Sequence, residues 1–395
     1  MKIALIHFYL ATASGDPRMV LSIAQTLRKQ GHRVKVYCAE SDSRFLPELR
    51  KGLDTQVVPP RAPLRSVIGA SRLFARIIER FHRNLLYADT ARRIEEVLEP
   101  DFDFVLCEND YSYQVGTSYK KRNPKARVIW IMNNPPFYHS HKNNIVVDAL
   151  SRAVAWWEGR TARRFASGID WAVVFDKANQ EASRAVGISA KLIGNPLDFD
   201  YFYSPIRSWP PTGPVKILAV GVLSPLRRFE DVVSAVKILR GMGYDVCALI
   251  VCKDYWADRL YRSKFEVFIK DSGVQEFIDA RFEGVSEEFM KLALRESHIS
   301  LVPNNAKVWV ATACEAMAAG MPLVISRATS MIDVLRDGED ALFFDPLRPE
   351  QIAEKVRLLI ENPDFYARIA SSGQTFVKDN LNLESFTKNI LQSPK

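Results

Sequence analysis

The sequence predicts an α/β protein built from two doubly wound, parallel-sheet domains in tandem. Short, nearly continuous apolar runs alternate with amphipathic helical segments, which is typical of strands buried on both faces of a parallel sheet. This alternation stops in a segment rich in Pro and Gly between positions 196 and 214, and then starts again. With 395 residues, of which 47% are hydrophobic and 25% charged, the chain can bury two cores, which excludes disordered and fibrous classes.

The first domain is predicted to span residues 1–195. It begins with the strand KIALIHFYL, a turn that contains Gly15, and a helix that ends at Gly31. Each later strand is a short apolar run: VKVYCA, FDFVLCE, RVIWIM and DWAVVF.

Residues 196–214 are predicted to be a linker, and residues 215–375 the second domain. Its strands are VKILAVGVL, DVCALIVC, a short one in FIDARFEG, ISLVPN and MPLVIS, with helical segments between them. Residues 376–395 are expected to form a helix that crosses back to the first domain. Ligands of such sheets bind outside the carboxyl ends of the strands, so we expect the site in a cleft between two facing domains.

Charge is unevenly distributed along the chain. Residues 1–200 carry 30 Lys and Arg against 21 Asp and Glu, whereas the remainder carries 24 against 25. The basic first half is expected to meet something anionic. The five scattered Cys fit buried thiols in a reducing compartment, and neither a long apolar span nor a signal peptide is recognisable, so a cytoplasmic protein is expected.

Several segments of the second domain resemble one known family. The stretch CEAMAAGMPLVIS, followed by VLRDGEDALFFDP, and the turn GVLSPLRRFEDVVSAVKIL resemble the donor-binding segments of glycosyltransferase family 4. The resemblance implies a GT-B fold, with two Rossmann-like domains facing a central cleft. It also implies retaining transfer of a hexose from a nucleotide-diphosphate sugar to a hydroxyl of a glycan or lipid-linked acceptor, in surface polysaccharide or glycolipid synthesis. No cofactor is expected, and the reaction should be independent of metal.

The resemblance assigns donor-binding roles to several residues. Glu315 lies in a helix expected to start near Trp309, where its carboxylate can accept hydrogen bonds from the ribose hydroxyls. Arg227, with Arg228 beside it, follows the Gly221 turn and is the candidate for neutralising the diphosphate, because a guanidinium fits two phosphate oxygens. The alternatives are an exposed helix glutamate and a solvated basic turn. The family's first basic residue is absent, since its position is Val222.

Lys307 departs from the family pattern, which places a glutamate eight residues before Glu315. Three explanations stand, in order of preference. Lys307 replaces the charge lost at Val222, or it binds an acidic donor sugar such as a uronic acid, or catalysis has been lost. Lys307 and Arg227 are therefore also catalytic candidates.

The loop after MPLVIS lacks the glycine pair that is usual in the family. Thr329 and Ser330 stand there instead, and their hydroxyls and amides are candidate donors to the diphosphate.

Candidates in the first domain follow from its loops. Asn133 and Asn134 stand where family members often have a histidine, and Asn134 is the catalytic candidate, because an amide can bind a sugar hydroxyl without taking a proton. Such a residue suits a front-face mechanism in which the protein mainly stabilises charge. Gly15 is a candidate for close approach to the donor. A capped turn for the Asn pair and an ordinary βα turn at Gly15 are the alternatives.

Metal binding is not expected. His139 and His141 stand two positions apart without further ligands nearby, and the triplets at 101–103 and 198–200 look like turn sequences.

Residues 64–86 form a basic amphipathic segment whose arginines gather on one side at helical spacing. An anionic membrane surface or acceptor is one interpretation, which would make the protein peripheral on the inner face of a membrane. An ordinary domain helix with a solvated face is the other. The residues concerned are Arg65, Arg72, Arg76, Arg80 and Arg83.

Two alternative functions stay open. One is a sugar-nucleotide epimerase of the same fold, which the Asn-rich first domain disfavours. The other is a catalytically silent module that binds a nucleotide or glycan or acts as a scaffold. No nucleic-acid-binding module is recognisable, so nucleic acid is not expected as a partner.

Overall fold

The computed structural model describes residues 1–12, 15–62, 73–108, 111–132, 137, 145–253 and 259–392. The chain divides into two compact units. The first unit comprises Met1–Pro196 and Leu383–Lys395, and the second comprises Leu197–Asn382. The segment 197–214, assigned above to a linker, is thus counted in the second unit, and the last residues of the chain are counted in the first.

The first unit is built on a seven-stranded sheet in which every described pairing is parallel. The sheet order is β5-β3-β1-β6-β7-β8-β9, and β2 pairs with β4 separately. The strands are β1 (Lys2–Ile6), β2 (Tyr9–Leu10), β3 (Arg33–Cys38), β4 (Glu40–Ser41), β5 (Asp54–Val57), β6 (Phe104–Glu108), β7 (Arg127–Met132), β8 (Trp171–Val174) and β9 (Ala190–Leu192).

Helices cover both faces of this sheet, as expected for a doubly wound fold. They are α1 (Gly15–Lys29), α2 (Pro47–Arg50), α3 (Leu73–Glu96), α4 (Tyr113–Arg122), α5 (Ile145–Phe165) and α6 (Lys177–Ala185). Asp176 caps α6 by accepting a hydrogen bond from the Asn179 amide at 2.7 Å.

The second unit is built on a six-stranded parallel sheet in the order β12-β11-β10-β13-β14-β15, which is the 3-2-1-4-5-6 order of dinucleotide-binding folds. The strands are β10 (Val215–Val222), β11 (Val246–Lys253), β12 (Ile278–Arg281), β13 (Ile299–Val302), β14 (Leu323–Ser326) and β15 (Leu342–Phe344). The helices are α7 (Phe199–Phe202), α8 (Phe229–Gly241), α9 (Arg259–Asp271), α10 (Glu287–Glu296), α11 (Ala311–Ala318), α12 (Pro349–Glu361) and α13 (Pro363–Asn380).

The last helix, α14 (Leu383–Ile390), belongs to the first unit. Gln30 at the end of α1 donates to the Thr387 hydroxyl at 2.8 Å, and the Trp171 indole of β8 donates to the Ile390 carbonyl at 3.0 Å. These bonds hold the end of the chain on the first sheet.

The predicted α/β fold with two doubly wound parallel sheets is confirmed. Apolar residues of the central strands of both sheets are buried among the core residues of each unit, whereas the edge strands β5, β9 and β12 are partly exposed. No helix in the described ranges combines the length and apolar character needed to cross a bilayer.

Candidate functional site

The carboxyl ends of β10, β13 and β14 lie side by side in the second sheet, and their loops are joined by hydrogen bonds. The Asn305 amide, after β13, donates to the Leu226 carbonyl, after β10, at 2.8 Å. The Ser330 amide, after β14, donates to the Val308 carbonyl at 3.2 Å. Three loops that carry predicted site residues therefore form one connected edge, where ligands of this kind of sheet bind.

Arg227 lies at this edge, in a 3-10 turn after β10. Its side chain packs on Gly221, because a Cβ at that glycine would lie 3.3 Å from both Cδ and Nε of Arg227. Its guanidinium makes no ion pair or hydrogen bond with any residue that the structure describes. Desolvation lowers the pKa of Arg227, yet an arginine stays charged at neutral pH. A desolvated cation without a counter-charge favours binding of an anion.

Arg228 has a different environment from its neighbour. Its backbone is left-handed, with φ +52°, and it occupies the N-cap of α8. Its guanidinium is bound to the buried Asp231 carboxylate, at 2.6 Å and 3.2 Å, and this hydrogen bond raises the pKa of Arg228. The predicted donor-binding role of Arg228 stays a prediction, and its charge is already compensated within the protein.

Lys307 lies in the loop after β13, and its Nζ is 3.4 Å from Oδ2 of Asp333, which ends the 3-10 turn after β14. The lysine side chain is 41% exposed and the aspartate is largely buried. The cation at the position of the family glutamate is therefore paired with a carboxylate from the neighbouring loop.

Glu315 is the fifth residue of α11, which begins at Ala311, two residues later than the expected start near Trp309. Its neighbours Cys314, Ala316 and Met317 are buried, whereas Glu315 is half-buried. The Thr312 hydroxyl donates to the Val220 carbonyl of β10 at 3.5 Å, which holds the first turn of the helix at the carboxyl end of that strand. The first turns of α11, which carry Glu315, thus lie at the same edge as Arg227.

Thr329 and Ser330 are at this edge but fully buried. The Thr329 hydroxyl and amide both donate to the Ser326 carbonyl, at 3.0 Å and 3.1 Å, and the Ser330 amide is bound to Val308. Only the Ser330 hydroxyl has no hydrogen-bond partner among the described residues. These groups stabilise the loop in this conformation, and their contact with a diphosphate stays a prediction.

Asn304 is a candidate that sequence reasoning missed. It follows β13, it is buried, and its amide nitrogen has no hydrogen-bond partner in the described part of the chain. A buried polar group without a partner is costly, which marks the position as one that binds a water or a ligand group. The available signal was an Asn pair, Asn304 and Asn305, that begins two positions after the apolar run ISLV.

In the first unit, Gly15 is the first residue of α1, and its approach to a donor stays a prediction. Asn133, Asn134, His139 and His141 lie outside the described residues, as do Arg65 and Arg72. The helix α3 carries Arg76, Arg80 and Arg83, but their side chains are outside the description.

A second feature that the sequence did not indicate is a buried contact between a histidine and a glutamate at the carboxyl ends of β1 and β6. Nδ1 of His7 contacts Oε2 of Glu108, and both side chains are almost completely buried. Nearby, the Tyr111 hydroxyl donates to Glu158 of α5 at 2.8 Å. The first sheet thus also has polar residues where its ligands would bind.

Among the described residues, no group of three or more His, Cys, Asp or Glu side chains is arranged to hold a metal ion. The two acidic triplets have structural partners: Asp103 accepts from the Lys2 amide at 2.7 Å, and Asp198 caps α7 by accepting from the Tyr201 amide at 3.2 Å.

The second unit of this chain matches a known protein family. Residues 206–376 match the family model of "Glycosyl transferases group 1". A curated relative, MMP α-(1→4)-mannosyltransferase of Mycolicibacterium hassiacum, is 26% identical over 110 residues. That match covers 28% of this chain and 26% of the relative, so it spans about a quarter of the relative's length.

Solved structures with the same fold cover nearly the whole chain. HepE of Anabaena, solved in complex with UDP and glucose, has a TM-score of 0.72 at 15% identity, covering 99% of this chain and 98% of its own. Sucrose-phosphate synthase of Thermosynechococcus elongatus has a TM-score of 0.74 at 14% identity, covering 99% and 97%. The chain therefore has the GT-B fold of glycosyltransferases and carries a glycosyl transferases group 1 domain in its second unit.

Proposed function

We propose that the protein is a retaining glycosyltransferase that moves a hexose from a nucleotide-diphosphate sugar to a hydroxyl group. The observation that carries this proposal is the Arg227 guanidinium, desolvated and without a counter-charge among the described residues, at the carboxyl edge of the group 1 domain. A diphosphate supplies the two negative charges that this position favours, and a guanidinium fork binds two phosphate oxygens.

Glu315 extends the same site toward the nucleoside. From the first turns of α11, its carboxylate would accept hydrogen bonds from the two ribose hydroxyls, as an acidic residue does in dinucleotide-binding folds. The N-terminus of α11 adds a partial positive charge on the side of the phosphates. HepE, which has the same fold, is solved with UDP-glucose, and this supports a nucleotide sugar as the donor here.

In the proposed reaction, the bond between the anomeric carbon and the diphosphate oxygen breaks as the acceptor oxygen bonds to that carbon from the same face. The acceptor proton passes to the departing phosphate oxygen. Arg227 would stabilise the negative charge that grows on the leaving diphosphate. Electrostatic stabilisation of this kind is usually what contributes most to the rate enhancement of an enzyme. No metal is required in this scheme.

The acceptor we propose is a hydroxyl of a glycan or lipid-linked saccharide, in surface polysaccharide or glycolipid synthesis. The excess of positive charge in residues 1–200 supports an acceptor or surface that is anionic. A cytoplasmic protein that associates peripherally with the inner face of a membrane fits this acceptor.

A thermal-shift screen with UDP, GDP, ADP and CMP, and with their sugars, tests the proposal. A ligand at 100 times its dissociation constant stabilises the native state by about 2.7 kcal/mol. We expect one base to stabilise the protein and Arg227→Ala to abolish the shift. If no nucleotide stabilises the intact chain, the proposal is wrong.

A catalytically silent nucleotide-binding protein is the second candidate. It is favoured by Lys307, which stands where the resembling family has a glutamate. This lysine is paired with Asp333, so the position offers a donor sugar no carboxylate. Slow hydrolysis of the sugar donor without an acceptor separates the two, because only an enzyme that activates the anomeric carbon releases the sugar.

A further inference from the structure

The orientation of α5 in the first unit is fixed from its inner side. The buried Glu158 accepts hydrogen bonds from the Tyr111 hydroxyl at 2.8 Å and from the Asn84 amide at 3.4 Å. Gly159 lies against Phe137 and Val186, since a Cβ there would be 3.5 Å from atoms of both. The opposite side of the helix therefore faces outward. Its exposed charged and aromatic side chains, which we call the α5 outer face, are Arg152, Trp156, Trp157, Arg160, Arg163 and Arg164.

Two adjacent tryptophans are exposed on this face. Trp156 is 67% exposed and Trp157 37%, although the other described tryptophans of the first unit, Trp130 and Trp171, are fully buried. Large apolar side chains exposed together mark an interaction site. Tryptophan in particular prefers the boundary between water and lipid, where its ring is buried among hydrocarbon and its N–H stays hydrated.

The charge of the α5 outer face is uniformly positive. Its members are four arginines and two tryptophans, and the helix shows no exposed acidic side chain among those described. The guanidinium of Arg160 lies 5.8 Å from the centre of the Trp156 ring, and Arg163 donates to the Ala185 carbonyl at 3.0 Å. Arginines held beside an exposed ring offer cations at a fixed distance from an apolar anchor.

A cavity of about 240 Å³ opens beside Trp156, between α5 and α6. Its apolar lining includes Ala155, Gly159, Ala182 and Val186, while Arg160 and Arg163 line it as cations. This combination suits an amphiphile whose anionic group meets the arginines and whose hydrocarbon enters between the helices. A nucleic acid or an acidic peptide would use the arginines but not the apolar lining.

We propose that the α5 outer face docks the protein on an anionic phospholipid bilayer. Tryptophan insertion and attraction of arginines to lipid phosphates act together, since neither signal alone anchors a protein firmly. The surface differs from the arginine-rich segment 64–86. The inference deepens the peripheral membrane association proposed above by assigning a surface to it, but it does not depend on the sugar-transfer chemistry, so vesicle binding and sugar transfer can fail separately.

Co-sedimentation of the full chain with vesicles tests this inference. Vesicles of pure phosphatidylcholine are compared with vesicles containing about a third phosphatidylglycerol, at low and at physiological salt. We expect binding only to the anionic vesicles, weakened by salt. Arg160→Glu with Arg164→Glu should weaken binding at least about tenfold, because each basic residue near the surface contributes appreciably. Trp156→Ala should weaken binding to a similar degree at physiological salt.

Matched controls come from the second unit. The control for the arginine variant is Arg368→Glu with Lys378→Glu, because Arg368 stacks on Phe365 as Arg160 does on Trp156. The control for the tryptophan variant is Phe268→Ala, since Phe268 is also an exposed aromatic residue. These controls should bind vesicles as the unmodified protein does, and unchanged melting temperatures exclude unfolding as a cause. The inference is overturned if the full chain does not bind anionic vesicles, or if Arg76→Glu with Arg80→Glu abolishes binding while the α5 variants leave it unchanged. Preference for duplex DNA or polyglutamate over vesicles also overturns it.

Discussion

The ammonium group of Lys307 lies 3.4 Å from Oδ2 of Asp333, and the two residues come from loops that follow neighbouring strands of one sheet. The Ser330 amide also donates to the Val308 carbonyl, so the ion pair acts together with a backbone hydrogen bond between the same two loops. The pairing bears on each explanation of the lysine. A cation already neutralised by a carboxylate is less suited to bind a uronic acid, and better suited to position the loop before α11.

A charge exchange tests that positioning role. Lys307→Ala or Asp333→Asn should change protein stability by less than about 1 kcal/mol, because the lysine is partly exposed. Both should weaken donor binding, and the double variant Lys307→Asp, Asp333→Lys should restore part of it. Isothermal titration with the nucleoside diphosphate and its sugar measures this. If Lys307→Ala leaves turnover and donor affinity unchanged, Lys307 neither contacts the donor nor positions the loop before α11.

Arg227 and Arg228 form a matched pair for the diphosphate site. Arg227→Ala should weaken nucleoside diphosphate binding by about 2 kcal/mol, or roughly thirtyfold, since a charge-assisted hydrogen bond is lost. Arg228→Ala should leave that affinity within about threefold but lower stability by about 1–3 kcal/mol, because it leaves the Asp231 carboxylate buried without its partner. Titration calorimetry and urea denaturation separate the two. Equal losses of affinity would contradict the assignment.

Glu315→Gln tests the ribose contact. Loss of the carboxylate charge should weaken binding of the ribonucleoside diphosphate about tenfold, because hydrogen bonds to charged groups are the stronger ones. Binding of the 2′-deoxy analogue, which has lost one of the two hydroxyls, should change much less. Dissociation constants for both ligands with both proteins form a double-mutant cycle, and a coupling energy near zero would remove Glu315 from the ribose site.

The environment of His298 makes the stability of the second unit depend on pH. Burial, with the nearby Arg207 and Lys216, lowers the pKa of His298 to about 4, while its Nδ1 accepts a hydrogen bond from the Lys216 amide at 2.9 Å. The unfolded chain, with a pKa near 6.5 at this residue, binds the proton first, so this contribution to stability is complete above about pH 6.5. It is lost progressively as the pH falls toward 4.

Thermal unfolding between pH 4 and pH 7 measures that loss. His298→Gln should be less stable at pH 7 and should show a flatter dependence over this range. A variant with the slope of the unmodified protein would mean that another group titrates.

Strands were the most predictable part of the structure, because a parallel sheet buried on both faces requires apolar runs. RVIWIM corresponds to β7 residue for residue, and MPLVIS contains β14. Weakly apolar edge strands such as β5 (Asp54–Val57) and β9 (Ala190–Leu192) carry no such run and were missed. The helix of Glu315 was predicted two residues too early, because Trp309 and Val310 are apolar but lie in the preceding loop.

The candidate site was predictable in location but less so in its pairings. Arg227 and Arg228 are adjacent and chemically identical, and only the left-handed backbone at Arg228 directs one to Asp231 while the other packs on Gly221. The partner of Lys307 lies 26 positions away, on a loop that sheet topology brings close. Such pairings depend on tertiary structure, which composition and spacing do not report.

The second unit starts and finishes at the same place. Leu197 and Asn382 form a parallel β-bridge, and the Leu197 amide donates to the Leu381 carbonyl at 2.8 Å. In sequence, the unit proposed to bind the nucleotide is therefore an insertion within the first unit, and hydrogen bonds join its first and last residues. Residues 197–382 should thus fold as an independent fragment. The affinity of that fragment for a nucleotide can then be measured in the absence of the residues proposed to bind the acceptor.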